Sequence, residues 1–305
     1  MQIRRLTVEL LRSGPPHNQL LSPLTQYLGV CGDFGAEVVK IPYEHASFLR
    51  RLDDLRYESG TNEQHRLDIL REIGADLSRV LGAVPGFAGA LTSDRNRLVH
   101  LRLVLSASEL ALLPFELAKM PQGSQVSGEA WLALQTHVAV CLTRRIRSVP
   151  SQDVQWPQTP KILFVAGDPT EIPFAEHCEA LREAIGPWQT RDGKQAVKLS
   201  ILEDATLEQV LRACEEEQYT HVHVLAHGAP QGGEEQEFGL ALRDDVVSGE
   251  RFATAIASLT SGCVHRPTVV TVASCDSGQV GSVITRGASF AHDLHQSGIP
   301  LVVAS

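Results

Sequence analysis

Apolar and polar positions change their rhythm near residue 160. Between residues 63 and 81, Leu67, Ile69, Leu70, Ile73, Leu77, Val80 and Leu81 fall on one stripe of helical period, which predicts a helix there. Strand-type runs in this first part are residues 2–11, 99–107 and 135–143, and the rest of the first 95 residues reads as mainly helical. In LLPFELA (112–118), Pro114 punctuates a short helical turn.

Beyond 160 the pattern becomes regular. KILFVAG (161–167), VKLSILE (197–203), THVHVLAHG (220–228), PTVVTVASC (267–275) and IPLVVAS (299–305) are short apolar runs of buried-strand type. Helical patterns at 174–185, 207–217, about 249–259 and 288–296 alternate with them, and Thr206 is placed to cap the second. A Gly/Glu-rich loop, 229–237, precedes the apolar run FGLALR (238–243). Strands alternating with helices predict βαβ units and a mainly parallel sheet flanked by helices. The Pro/Gln/Ser-rich stretch 147–160 is the linker candidate, dividing the chain into 1–150 and 158–305.

The chain has 305 residues, 27 Lys+Arg against 36 Asp+Glu and a formal charge of −9. That balance offers no general attraction for nucleic acid, whose affinity rests on Lys/Arg meeting phosphates. Aromatic residues make up 5%, too few for a base-stacking surface, whereas 43% hydrophobic residues suffice for a core. The N-terminal MQIRRLTVELLRSG has no apolar h-region, and no stretch approaches the ~18 apolar residues of a membrane span. Six scattered cysteines without a CxxC pair fit reduced thiols, so a cytoplasmic protein without membrane partners is expected.

Two positions at predicted strand ends could carry chemistry: His227 with Gly228, and Cys275 followed by Asp276. A thiol nucleophile needs an acid or base within hydrogen-bond reach, and adjacent strand ends can supply one. His precedes Cys by 48 residues, as in the caspase-type pattern. Gly228 allows close approach of a carbonyl, and its N–H with that of Cys275 could form an oxyanion hole. Singly, a cysteine ending an apolar strand is most often packing, and a His-Gly at a strand end is weak. The combination favours a dyad. Cys31, Cys141, Cys178, Cys214 and Cys263 have no partner signal and read as structural, and Glu215–Glu217 read as a solvated helix end.

Two rival chemistries can be weighed. His221, His223 and His227 share a strand face, which suggests a metal-dependent hydrolase, yet six residues of strand span about 20 Å, too far for one ion. Packed, structural roles suit His221 and His223 better, and no metal or organic cofactor is expected. DSGQVGS (276–282) stands between a strand and a helix as a phosphate loop would, but lacks the Gly-Lys-Ser/Thr ending.

The chain also carries L-P-F-E-L (113–117), H-V-L-A-H-G (223–228), A-S-C-D-S-G (273–278) and G-I-P-L-V-V-A (298–304), in that order. In these stations, spread over roughly 95–305, it resembles the CHAT domains, caspase-like peptidases of the caspase, separase and gingipain clan. The resemblance implies an α/β, caspase-like fold in which residues 1–150 form a pseudo-caspase half beside an active half. It implies a cysteine endopeptidase with His227 and Cys275 as dyad and a protein as substrate. It further implies a fused or partner sensor, such as a repeat array or a cyclic-nucleotide-binding module, in prokaryotic defence or cell death. Family members often continue beyond the last matching strand, so a longer protein is expected. The loops 229–237 and 276–285, rich in Gly, Ser and charge, are expected to order when that partner engages. Asp276, Asp244 and Asp245 are candidates for reading a basic substrate residue. The alternative from another class is an inactive CHAT-like scaffold that binds protein partners or a nucleotide.

Overall fold

A computed structural model describes residues 3–304, apart from 13–19, 56–59, 94–97, 125–129, 135–137, 147–153, 155, 170–171, 189–196, 231–237, 261–262 and 275–289. The chain divides into two compact units, Met1–Val149 and Pro150–Ser305. The division falls inside the segment that composition marks as a linker. No helix among the described residues is long and apolar enough to cross a membrane.

In the first unit, β1 (Ile3–Arg12), β2 (Gln26–Cys31), β3 (Ala36–Lys40), β4 (Leu98–Leu105) and β5 (Val140–Ile146) form one sheet in the order β3-β2-β1-β4-β5. β1, β4 and β5 run parallel, whereas β2 and β3 are antiparallel to their neighbours. Helices α1 (His45–Leu55), α2 (Glu63–Gly82) and α3 (Phe87–Thr92) complete the unit. α2 starts where the Asn62 side chain accepts the His65 N–H at 2.8 Å, and its stripe buries Ile73, Leu77 and Leu81 completely. The β2–β3 hairpin corrects the mainly helical reading of this part. Tyr27 and Cys31 alternate inward, and Gly32 and Gly35, at φ 53° and 92°, make the turn between the strands. An alternation this short is masked by the helical stretches around it.

The second unit is built on β6 (Lys161–Ala166), β7 (Lys198–Leu202), β8 (His221–Leu225), a small sheet of β9 (Gly228–Pro230), β10 (Phe238–Leu242) and β11 (Asp245–Val247), the hairpin β12 (Ser258–Thr260) and β13 (Cys263–His265), then β14 (Val269–Ala273) and β15 (Leu301–Ala304). Five of them form a fully parallel sheet ordered β7-β6-β8-β14-β15. Helices α4 (Phe174–Ile185), α5 (Leu207–Glu216), α6 (Gly249–Ala255) and α7 (Phe290–Gln296) cover it. Side chains alternate across the strands, as burial on both faces demands. Leu163, Val165, Val222, Val224, Val270 and Val272 pack with Val210 of α5, Phe252 of α6 and Leu294 of α7. Phe164, Ala166 and Leu225 pack on the other face with Cys178 of α4. Each fully buried valine contributes about 1.5–3 kcal/mol of burial free energy. The parallel direction brings the carboxyl ends of β6, β8 and β14 to one edge, where sheets of this type carry their sites.

Candidate active site

That edge is laced together just beyond the last ladder pairs. The Gly167 N–H donates to the Leu225 carbonyl (2.8 Å), and the Ala226 N–H donates to the Ala273 carbonyl (3.3 Å). β8 and β14 pair in register from Val269 opposite His221 to Ala273 opposite Leu225, so each partner on β14 carries a number 48 higher. β8 ends two residues before His227, which lies exposed in the short connection to β9. β14 ends two residues before position 275, and buried Ser274 is its last described neighbour. Cys275 and Asp276 lie outside the described residues, as do 231–237 and 276–285 of the two flanking loops.

The backbone around His227 is fixed from a second direction. The Ala241 N–H of β10 donates to the His227 carbonyl at 2.9 Å, which makes these two residues a hydrogen-bonded station of the antiparallel pair. At the next station Gly228 faces Leu240, and alternation turns the Gly228 N–H away from β10. No described strand pairs with the outer side of β9. A backbone donor thus faces outward beside an exposed imidazole, as anion stabilisation requires. β10 is itself seated on Gly167, where a Cβ would come within 2.7 Å of the Ala241 carbonyl oxygen and 3.2 Å of the Ala226 Cβ. Gly167, the residue after β6, is therefore a support of the candidate site, although in the sequence it reads only as the end of an apolar run.

Asp244 lies in the turn that follows β10, and Asp245 opens β11 opposite Leu242, the chain neighbour of Ala241. Both are exposed, and Asp245 is paired with Arg251 at 2.6 Å, so its charge already has a partner. His221 Nδ1 contacts Thr220 Oγ1 at 2.8 Å. His223 Nδ1 lies 2.6 Å from Thr271 Oγ1, and its Nε2 lies 3.2 Å from Nδ1 of His177 on α4. Burial first, and the neighbouring His177 second, hold His223 at a pKa of about 4. These contacts are those of packed, hydrogen-bonded histidines. Among the described residues no three His, Cys, Asp or Glu side chains are grouped to hold a metal ion. Cys31, Cys141, Cys178 and Cys214 are free thiols, and burial pushes Cys214 up to about 12, far from a reactive thiolate.

A parallel sheet covered by helices on both faces, with its candidate chemistry at the carboxyl ends of neighbouring strands, defines a three-layer α/β protein. The CHAT-domain family model matches residues 71–305, and the chain belongs to that family of caspase-like peptidases. The match begins inside α2 and runs across the division at Val149, so the family pattern takes in part of the first unit as well as the second. No curated protein matches the chain.

Proposed function

We propose that the protein is a cysteine endopeptidase that cleaves protein substrates with a His227–Cys275 dyad. The observation that carries this reading is the register of β8 and β14. Their partners differ by 48 residues, the separation of His227 and Cys275, so each of the two follows its strand by the same two residues. In the reaction the Cys275 thiolate attacks the scissile carbonyl carbon, and the oxyanion accepts hydrogen bonds from the Gly228 and Cys275 N–H groups. The His227 imidazolium protonates the departing amine, leaving a thioester. Neutral His227 then takes a proton from water, whose oxygen attacks the thioester, and release of the carboxylic acid regenerates the Cys275 thiolate beside the His227 imidazolium.

Residues 1–150 serve in this reading as a pseudo-caspase half without a dyad. A fused or separate sensor, a repeat array or a cyclic-nucleotide-binding module, governs the loops flanking the dyad in a prokaryotic defence or cell-death pathway. Cleavage of a peptide library by the protein with candidate activators is the test, set beside Cys275→Ala and His227→Ala. Loss of cleavage in both variants is expected, and cleavage persisting in both overturns the dyad. Selective alkylation of Cys275 by iodoacetamide separates a peptidase from a scaffold, since a poised thiolate outpaces buried thiols.

A further inference from the structure

β6 places a carboxylate at the station where β8 places His227. The two strands pair through Ala166 opposite Leu225, and Asp168 follows Ala166 by the same two residues that separate His227 from Leu225. The bond from the Gly167 N–H to the Leu225 carbonyl, 2.8 Å, carries the parallel pattern one step past that last pair, to Gly167 opposite Ala226. Asp168 and His227 come next. Pro169 keeps the preceding Asp168 out of the helical region, and His227 leads directly into β9, so both continue their strands in extended form. Alternation then returns both side chains to the face of Phe164, Ala166 and Leu225. Earlier on that face the ladder partners Phe164 and His223 touch ring to ring, 5.2 Å between centroids. Neighbouring strands lie ~4.8 Å apart, within reach of a carboxylate–imidazole hydrogen bond. Asp168 and His227 are both exposed at this edge. We propose that Asp168 is a positioning residue for His227, its carboxylate accepting the hydrogen of one ring nitrogen and turning the other toward the substrate.

Asp168 exchanges no proton in this role. A carboxylate that accepts one ring N–H fixes which nitrogen of the neutral imidazole carries the hydrogen, and the other nitrogen is left free to take or give the proton of the reaction. When His227 holds the Cys275 proton, the negative charge beside it steadies the imidazolium and remains ionised itself. The catalytic consequence rests on the peptidase reading. The contact between Asp168 and His227 does not, and it is read without any cleavage assay.

Nitrogen-15 NMR of the histidine rings in the full chain decides the contact, with the His227 signals assigned by their loss in His227→Gln. A single His227 tautomer is expected in the parent and in Asp168→Glu, and a changed tautomer balance in Asp168→Asn. Circular dichroism confirms that each variant is folded. In peptide cleavage, Asp168→Asn should lower kcat by ~10²–10⁴-fold with KM little changed, and Asp168→Glu should recover part of that loss. Unchanged His227 ring shifts in folded Asp168→Asn overturn the positioning role, as does a loss confined to KM for substrates with a basic residue. Cleavage that survives both Cys275→Ala and His227→Ala overturns the dyad instead, and leaves the contact to be judged by the ring shifts alone.

Discussion

The Ala241 N–H donates to the His227 carbonyl at 2.9 Å, and this single bond sets the direction of the next backbone donor along the chain. Because hydrogen-bonded and non-hydrogen-bonded stations alternate in an antiparallel pair, fixing His227 against Ala241 leaves the Gly228 N–H pointing out of the ladder. Main-chain chemistry at this edge is thus determined by strand pairing as much as by side-chain identity.

Removing that N–H should be far worse than adding a methyl group to it. Gly228→Ala keeps the donor and is expected to lower kcat for peptide cleavage only modestly. Gly228→Pro deletes the donor and should lower kcat by about 10²–10³-fold, the usual cost of losing one oxyanion-hole donor. Cleavage kinetics on a peptide identified from the library check this. Equal kcat in the two variants would remove Gly228 from the oxyanion hole.

Gly167→Ala probes the support beneath. Its new Cβ would lie 2.7 Å from the Ala241 carbonyl oxygen, a backbone atom that can move only if β10 moves. Overpacking of this kind costs about 1–3 kcal/mol. The expected result is a lower unfolding midpoint together with slower peptide cleavage, because β10 also holds the His227 carbonyl. A variant with unchanged midpoint and unchanged cleavage would show that β10 does not transmit the strain.

Much of this was legible in the sequence because the second unit is locally consistent. The helix expected at 174–185 is α4 residue for residue, and Thr206 caps α5 as its position suggests. Continuous apolar runs marked the strands of the parallel sheet, since each strand is buried on both faces. What was hidden depends on residues far apart in sequence. The clasp of Ala241 on His227 spans a loop, and the contact of His177 with His223 joins a helix to a strand 46 residues later. Neither leaves a periodic trace. The hairpin β2–β3 was missed for another reason, its five- and six-residue strands being too short for their alternation to stand out. Of the proposed dyad, only the 48-residue spacing was readable, and it equals the offset between partners of β8 and β14.

The cap of α5 offers a stability test remote from the chemistry. The Thr206 hydroxyl accepts the Gln209 N–H, and the Gln209 side chain accepts the Thr206 N–H at 2.9 Å. Thr206→Ala deletes the hydroxyl and should cost about 1 kcal/mol. For a unit of this size that lowers Tm by about 2–4 °C. Differential scanning calorimetry measures it, and peptide cleavage should be unchanged at temperatures well below the transition.

Glu217 supplies a pH test whose sign is fixed by its partners. Its carboxylate accepts from Lys161 Nζ at 2.5 Å and from Lys198 Nζ at 2.7 Å, tying the start of β6 and of β7 to the end of α5. The hydrogen bonds from the two ammonium groups hold its pKa at about 2, below the ordinary 4.5. The unfolded chain therefore binds this proton more readily than the folded one, and stability falls as the proton is taken up. The contribution is complete above about pH 5 and lost as pH drops toward 2. Glu217→Gln should be less stable than the parent at pH 7, with the gap closing steadily between pH 5 and pH 2 in urea titrations. The lysines are about half exposed, so raising the salt to ~0.5 M should narrow the gap at pH 7 as well. A gap that stays constant from pH 7 to pH 2 would mean that the substitution acts through packing and that the ion pair contributes nothing.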